Sequence, residues 1–284
     1  MNRKCFICGT FEFSKIGSFN TYKLLECRKC LLQILNPIPN EKSLDRIYSD
    51  YYKSWELIKF KKEVSDMKSK TFKGYLSEIT AVASSGRFLD IGCATGEFME
   101  SAEKAGFDVY GVEISPFGIL RCREKFGENK ILGSRLKVGD FPSGFFDVVT
   151  LSDVIEHITT PLLFLEIVHN ILKPNGILMI VTPNTSSWTR KIMRKKWLHY
   201  KEEHVCYYNA TNITRLLSSY FNTINIKPAY KTLTINYING VILAYLNKGL
   251  LKKITYFLDK FPCCMKFRDF RINIGEMIVL CRKK

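Results

Sequence analysis

Two carboxylates and a glycine loop are the first residues in this 284-residue chain whose types and spacing could do chemistry. Asp90 stands just before Gly92-x-x-x-Gly96, and Glu113 follows 23 residues after Asp90. The spacing differs from the G-x-G-x-x-G loop that seats a pyrophosphate on a helix N-terminus. A carboxylate directly before the loop suits a cationic ligand better than a phosphate. An acid about 20 residues further on, at the end of the next strand, is placed to hold ribose hydroxyls. Glycines in such a turn are expected to let a ligand touch backbone where a Cβ would block it.

A second constellation lies near the N-terminus. Cys5-x2-Cys8 and Cys27-x2-Cys30 are separated by 18 residues, the spacing of a zinc ribbon. Each Cys-x-x-Cys bends around one side of a tetrahedral ion. About 36 residues cannot build a core alone, so a structural zinc would supply the folding energy. All four thiols pair into one closed site with no open position, which argues against a redox role.

The elements needed to position these residues follow from hydrophobic period and punctuation. Residues 87–91 read as a buried strand. A helix follows with Phe98, Met99, Ala102 and Ala105 on one face and Gly106 as its stop. Residues 107–112 form the next strand, and Ser115-Pro116 opens a helix to about Phe126. Residues 130–132 and 146–151 are the third and fourth strands. Thr160 can cap a helix over 162–172, with Pro161 at its first position and Lys173-Pro174-Asn175-Gly176 as its stop. Residues 177–181 form a fifth strand, 221–227 a sixth and 276–281 a seventh, with an insertion at about 230–273. Strands alternating with helices at these lengths predict an α/β fold, a Rossmann-like seven-stranded mostly parallel sheet with helices on both faces, plus the small zinc ribbon. Ligands in such sheets bind at the carboxyl ends of the strands, where Asp90, Glu113, Ser152 and Thr182 fall. The expected units are 1–36 as the ribbon, 37–84 as a linker after Asn36-Pro37-Ile38-Pro39 with a helical lid, and 85–284 as the main domain. The lid expectation rests on Tyr48, Tyr51, Tyr52 and Trp55, followed by Lys59, Lys61, Lys62, Lys68, Lys70 and Lys73 on a helix face.

Composition bounds the partners. The apolar fraction of 46% is ordinary for a globular protein. A net charge of +16 favours nucleic acid, anionic lipid or an anionic substrate. The short polar start does not resemble a signal peptide, and no apolar run is long enough to span a bilayer. The expectation is a cytoplasmic protein whose ten cysteines are thiols or metal ligands.

The run Leu-Asp-Ile-Gly-Cys-x-Thr-Gly-x-Phe at 89–98, with Gly-Val-Glu-Ile-Ser at 111–115, resembles the S-adenosylmethionine (SAM) site of class I methyltransferases. Residues 86–228 resemble the group related to the ubiquinone-biosynthesis O-methyltransferases. The matching runs are Phe-Asp-Val-Val at 146–149, Asp153-x-x-Glu156-His157, Leu-Lys-Pro-x-Gly at 172–176 and Thr182-Pro183-Asn184. Trp197, His204 and Tyr208-Asn209-Ala210-Thr211 continue the likeness, and Asn175 departs from it where the group usually has glycine. A ribbon followed by Asn-Pro-x-Pro resembles a subset often devoted to sugars, glycolipids or secondary metabolites. The resemblance implies a SAM site from Asp90, Gly92, Cys93, Ala94, Gly96, Glu113, Ile114, Ser134 and Ser152, with Asp140 the rival of Ser134 for the adenine.

Methyl transfer from a sulfonium is an in-line displacement that depends on alignment. If the acceptor is a hydroxyl, a base must take its proton. Of the four histidines, His157 follows the fourth strand and His204 lies on the loop that would roof the site. Either is the expected base, while His169, inside a helix, reads as structural. The resembling quinone enzymes can hold a divalent metal on Glu-x-x-Glu-His, which here reads Asp153-x-x-Glu156-His157.

Three functions compete. The first is a methyltransferase of a small-molecule, sugar or lipid-linked acceptor, acting at oxygen. The second is a zinc-ribbon RNA methyltransferase, favoured by charge but lacking an Asn-Pro-Pro-Tyr or Asp-Pro-Pro-Tyr run after the fourth strand. The third is a zinc-ribbon scaffold with a dead fold, opposed by the intact Asp90, Gly92, Gly96 and Glu113. Leu243, Leu246, Leu250, Ile254, Phe257 and Phe261, interleaved with lysines, suit a helix lying on an anionic membrane. The basic aromatic stretch from Trp188 to Lys201 carries a similar pattern.

Overall fold

Successive residues of each inner strand serve opposite faces of one sheet, as the two-residue strand period demands. In the computed structural model, which describes residues 4–19, 21–40, 44, 61–239 and 268–284, Leu89 and Ile91 join one buried cluster and Phe88 the other. Leu178 and Ile180 likewise face the first cluster, and Ile177, Met179 and Val181 the second.

The sheet strands are β4 (Gly86–Ile91), β5 (Phe107–Val112), β6 (Ile131–Leu132), β7 (Phe146–Ser152), β8 (Leu172–Pro183), β10 (Phe221–Thr234) and β11 (Asp269–Lys283). Their order is β10-β11-β8-β7-β4-β5-β6. β4 to β8 are parallel, β11 runs antiparallel to β8, and β10 antiparallel to β11. This is the expected seven-stranded, mostly parallel α/β sheet. Strand order reverses at β4, whose neighbours β5 and β7 lie on opposite sides, so a crevice opens beyond the tips of β4, β5 and β7.

Helix α1 (Lys61–Thr80), α2 (Glu97–Lys104) and α3 (Pro116–Phe126) cover one face. α4 (Pro161–Ile171) and α5 (Ala210–Leu217) cover the other. The helix expected as part of a lid is a packed layer instead. Tyr75, Leu76 and Ile79 of α1 are buried with Phe88 and Phe98, and Phe72 stacks on Phe98 at 4.7 Å. Tyr48, Tyr51, Tyr52, Trp55 and Lys59 lie outside the described residues, as does the proposed membrane helix from Leu243 to Phe261.

Several boundaries shift for local reasons. α2 ends at Lys104, leaving Ala105 exposed at its C-cap. Thr160 stands at the N-cap of α4 without making a side-chain cap, so Pro161 at the first position carries the start. The sixth and seventh strands run on as a hairpin from Thr234 to Asp269, which narrows the expected 230–273 insertion from both sides. Asn175 sits at φ 62, in the left-handed region that glycine or asparagine adopts, so the departure from glycine keeps the turn.

The N-terminal strands β1 (Phe13–Phe19), β2 (Tyr22–Cys27) and β3 (Gln33–Asn36) form a second sheet, completed by β9 (Cys206–Tyr207) from the main domain. The ribbon is therefore fused to the domain. Leu35 N–H donates to the Val205 carbonyl at 3.0 Å, and Asn212 Nδ2 to the Cys30 carbonyl at 3.1 Å. Leu24 and Leu35 pack with Trp197 and Tyr207.

Candidate active site

The glycine loop connects β4 to α2. Gly92 and Gly96 have φ values of 77 and 86, and Ala94 between them has 50. A Cβ on Gly92 would strike Val154 Cγ2 at 2.7 Å, and one on Gly96 would strike Phe126 Cε2 at 2.7 Å. Both glycines are thus required by backbone conformation and by the chain's own close packing. That is a stricter reason than the ligand clearance expected from sequence.

Asp90, the penultimate residue of β4, is 3% exposed. Burial pushes its pKa up to about 7, against a hydrogen bond from Thr150 Oγ1 at 2.7 Å, with Glu113 and Glu97 adding to the rise. A buried carboxylate that resists ionising suits a cationic ligand, because the ligand's charge would restore the ionised form. Glu113, just past β5, is also 3% exposed. Its carboxylate accepts from the backbone N–H groups of Ala94 at 2.7 Å, Ile114 at 2.8 Å and Ser115 at 2.8 Å. It therefore ties the glycine loop to the tip of β5, and Oε2, which accepts one of the three bonds, keeps an acceptor position for a hydroxyl donor. Ser134 follows β6, which pairs alongside β5, and its hydroxyl donates to the Arg135 carbonyl at 3.3 Å. Asp140 lies on an exposed turn and accepts from Lys137 N–H at 2.6 Å. Ser152 is the last residue of β7, partly exposed. Two neighbouring acidic strand tips joined by a small-residue loop fit a sulfonium nucleoside.

The two candidate histidines come together. The rings of His157 and His204 lie 4.6 Å apart, edge to face at 86°. His157 Nδ1–H donates to the Glu203 carbonyl at 2.9 Å, which leaves Nε2 as the basic nitrogen. Burial lowers its pKa to about 4. His204 is 5% exposed and pushed well below the usual histidine value by burial and by His157 and Lys201, and its Nδ1 has no hydrogen-bond partner. Glu156, fully buried, accepts from Thr182 Oγ1 at 3.0 Å through Oε2, while Oε1 has no partner. Burial, then Asp153, raises its pKa well above the ordinary value.

The metal arm expected from Asp153 is absent. Asp153 turns away to Lys231, and ligand atoms of Glu156, His157 and His204 lie within 4.8 Å of one another instead. In the ribbon, the sulfurs of Cys5, Cys8, Cys27 and Cys30 also converge within 4.8 Å, with Cys5–Cys30 at 3.6 Å and Cys8–Cys27 at 3.4 Å. Four thiols at that spacing fit tetrahedral zinc, whose ~2.3 Å bonds to sulfur set ligands nearly 4 Å apart.

Sequence reasoning missed several residues here. Thr150 read as an ordinary strand position. Glu276, 2% exposed on β11, was a visible signal, a lone acid opening an apolar strand. Lys231 lay beyond the strand end assigned at 227. Lys68 is one of five lysines on α1 and carried no signal of its own.

A parallel sheet with this strand reversal, a glycine loop and two acids at its carboxyl ends defines a class I, Rossmann-like domain. The chain belongs to the methyltransferase-domain family, whose match covers residues 67–220. It is 34% identical over 102 residues to the mitochondrial ubiquinone biosynthesis O-methyltransferase of Schizosaccharomyces pombe, covering 34% of this chain and 37% of that protein. Over 122 residues it is 29% identical to the ubiquinone biosynthesis O-methyltransferase of Glaesserella parasuis, covering 40% and 52%. The chain spans about half or less of the length of these curated relatives. Its fold is like that of the 1,6-didemethyltoxoflavin-N1-methyltransferase of Burkholderia thailandensis (TM-score 0.55, 12% identity, 96% of this chain and 99% of that one). It is also like a SAM-dependent methyltransferase from Archaeoglobus fulgidus (TM-score 0.52, 18% identity, 76% and 94%).

Proposed function

We propose that the chain transfers a methyl group from SAM to a hydroxyl of a small-molecule acceptor. The observation that carries the reading is the pair His157 and His204, whose rings lie 4.6 Å apart after β7, the strand beside β4 with its Asp90. When bound, SAM supplies an electrophilic methyl on a sulfonium. Asp90 faces its positive charge, and Glu113 accepts from the ribose hydroxyls. Gly92, Cys93, Ala94, Gly96 and Ile114 would offer it backbone groups, Ser134 would serve its adenine end and Ser152 its methyl end. The acceptor oxygen would take the methyl as its carbon–sulfur bond broke, and His157 Nε2 would take the hydroxyl proton. His204 packs against the His157 ring and keeps it in place. The curated relatives are named for small-molecule O-methylation, and the RNA reading has no comparable support.

Zinc at Cys5, Cys8, Cys27 and Cys30 is structural in this proposal. The cytoplasmic and peripheral-membrane expectations rest on sequence; no described helix is long and apolar enough to cross a membrane.

The test is the pH profile of kcat/KM for the acceptor at saturating SAM. A histidine held near pH 4 is already a base well below its usual 6.5, so the rate should stay level as pH falls through 6.5 and drop toward 4. His157→Ala should lower kcat by about 100-fold or more. An unchanged profile in both His157→Ala and His204→Ala would remove the base assignment. Loss of activity in EDTA, with the ribbon zinc retained, would instead favour a metal on Glu156, His157 and His204.

A further inference from the structure

Where the antiparallel β11 passes the carboxyl ends of β7 and β8 lies a polar cluster that the base and cofactor readings do not use. Lys231 Nζ lies 2.7 Å from Glu276 Oε1 and 3.3 Å from Asp153 Oδ2. Glu276 faces Pro183 across β11 and β8, at the carboxyl end of the parallel sheet. His199 stands behind it, with Nδ1 3.8 Å from Glu276 Oε1 and Nε2–H donating to the Ile274 carbonyl at 3.1 Å. Asp153 directly follows β7 at φ 55, and its N–H donates to the Val181 carbonyl at 2.9 Å. A non-glycine residue in that region is held there by its surroundings.

The cluster is graded from core to solvent. The Glu276 side chain is 1% exposed, Lys231 25% and Asp153 43%. Glu276 Oε2 is buried without a hydrogen-bond partner. The cluster also borders the cofactor half, because Lys68 on α1 lies near enough to Asp153, Lys231, Glu97 and Glu113 to feel all four charges.

We propose that Asp153 and Lys231 select the acceptor, and that the acceptor they select is a neutral, hydroxyl-rich ring of the sugar type. The proposal rests on the methyl-transfer reading above. The one ammonium lies between the Asp153 and Glu276 carboxylates, so an anionic acceptor would meet two like charges and a cationic one would have to compete with Lys231 for them. A hydroxyl can donate to Asp153 and accept from Lys231 without breaking their pair, and adjacent hydroxyls on one ring can do both. An apolar aromatic acceptor would cover the pair and give it no partners, which is unfavourable for both groups. Glu276 and His199 act as positioning residues that hold the Lys231 ammonium from behind.

The experiment is saturation-transfer NMR on the full chain saturated with S-adenosylhomocysteine. The probes are methyl α-glucoside, methyl α-galactoside and methyl α-rhamnoside, each at millimolar concentration, with an alkyl catechol as comparator. At least one glycoside should show binding that weakens about tenfold or more in Asp153→Asn, the loss expected for a charged hydrogen bond. Lys231→Met combined with Glu276→Gln, which removes the carboxylate otherwise left buried and unpaired, should give the same loss. S-adenosylhomocysteine affinity should change less than about twofold in each variant. Binding of the catechol with all glycosides silent would overturn the proposal, as would glycoside binding that survives in both variants. Failure of the wild-type chain to bind S-adenosylhomocysteine would overturn the cofactor reading, and this proposal with it.

Discussion

Asp90 makes the first encounter with the cofactor depend on pH. Its raised pKa, about 7, means the empty site carries the carboxyl partly protonated near neutrality. The folded value lies above the unfolded 3.8, so this group's contribution to stability is present below 3.8 and is lost as pH rises through 7. A bound sulfonium favours the ionised form. SAM affinity should therefore increase as pH rises through 7, with proton release on binding below that. Neutral S-adenosylhomocysteine should show much less of this dependence. Calorimetry of both ligands at pH 6 and pH 8 checks it, and equal pH dependence for the two would mean that Asp90 does not face the sulfonium. His157 and His199, both lowered to about 4 by burial, have the opposite sign. Their contribution is present above 6.5 and is lost as pH falls toward 4. At this scale the sequence was readable where a residue type was unusual for its place. Asp90 before a glycine loop, Glu113 at a strand tip and His157 after an apolar strand all stood out. Thr150 and Lys231 did not, since a threonine or a lysine in a strand is ordinary and their roles come from partners far along the chain.

At the scale of elements, the ribbon and the roof of the site form one structure. β3 pairs with β9, and β9 begins two residues after His204. Val205 N–H also donates to the Glu156 carbonyl at 2.8 Å, so the same short segment links the ribbon to the Glu156–His157 turn. Cys27→Ser should therefore do more than unfold the ribbon. It should lower kcat by loosening His204 while leaving SAM affinity nearly unchanged, because Asp90 and Glu113 sit on β4 and β5. Zinc content, turnover and SAM calorimetry on the same preparation check this. Retention of full zinc stoichiometry by the variant would show the ligand set to be wrong. The spacing of the four cysteines was enough to foresee their convergence. It held no information on β9, because a two-residue strand carries no periodic signal. The packing of α1 was hidden for a related reason. Its run of lysines marks a solvated face, while Tyr75, Leu76 and Ile79 on the opposite face bury against β4 and α2.

For the whole molecule, the strand order matters most. Reversal at β4 creates the crevice, and the antiparallel β11 brings Glu276 to the tips of the parallel strands. Alternation of strand and helix was enough to foresee the seven-stranded sheet. The reach of β10 and β11 as a long hairpin was not, since Tyr230 to Thr234 mixes polar and apolar residues without a clean strand pattern. The central claim is that the acids at the tips of β4 and β5 hold SAM. Calorimetric titration of SAM into the wild-type chain and into Glu113→Ala tests it most directly. The account predicts one SAM per chain for the wild type and a loss of about 1.5–3 kcal/mol in the variant, the worth of hydrogen bonds to a charged acceptor. Unchanged SAM affinity in Glu113→Ala, or no binding to the wild-type chain, would contradict it.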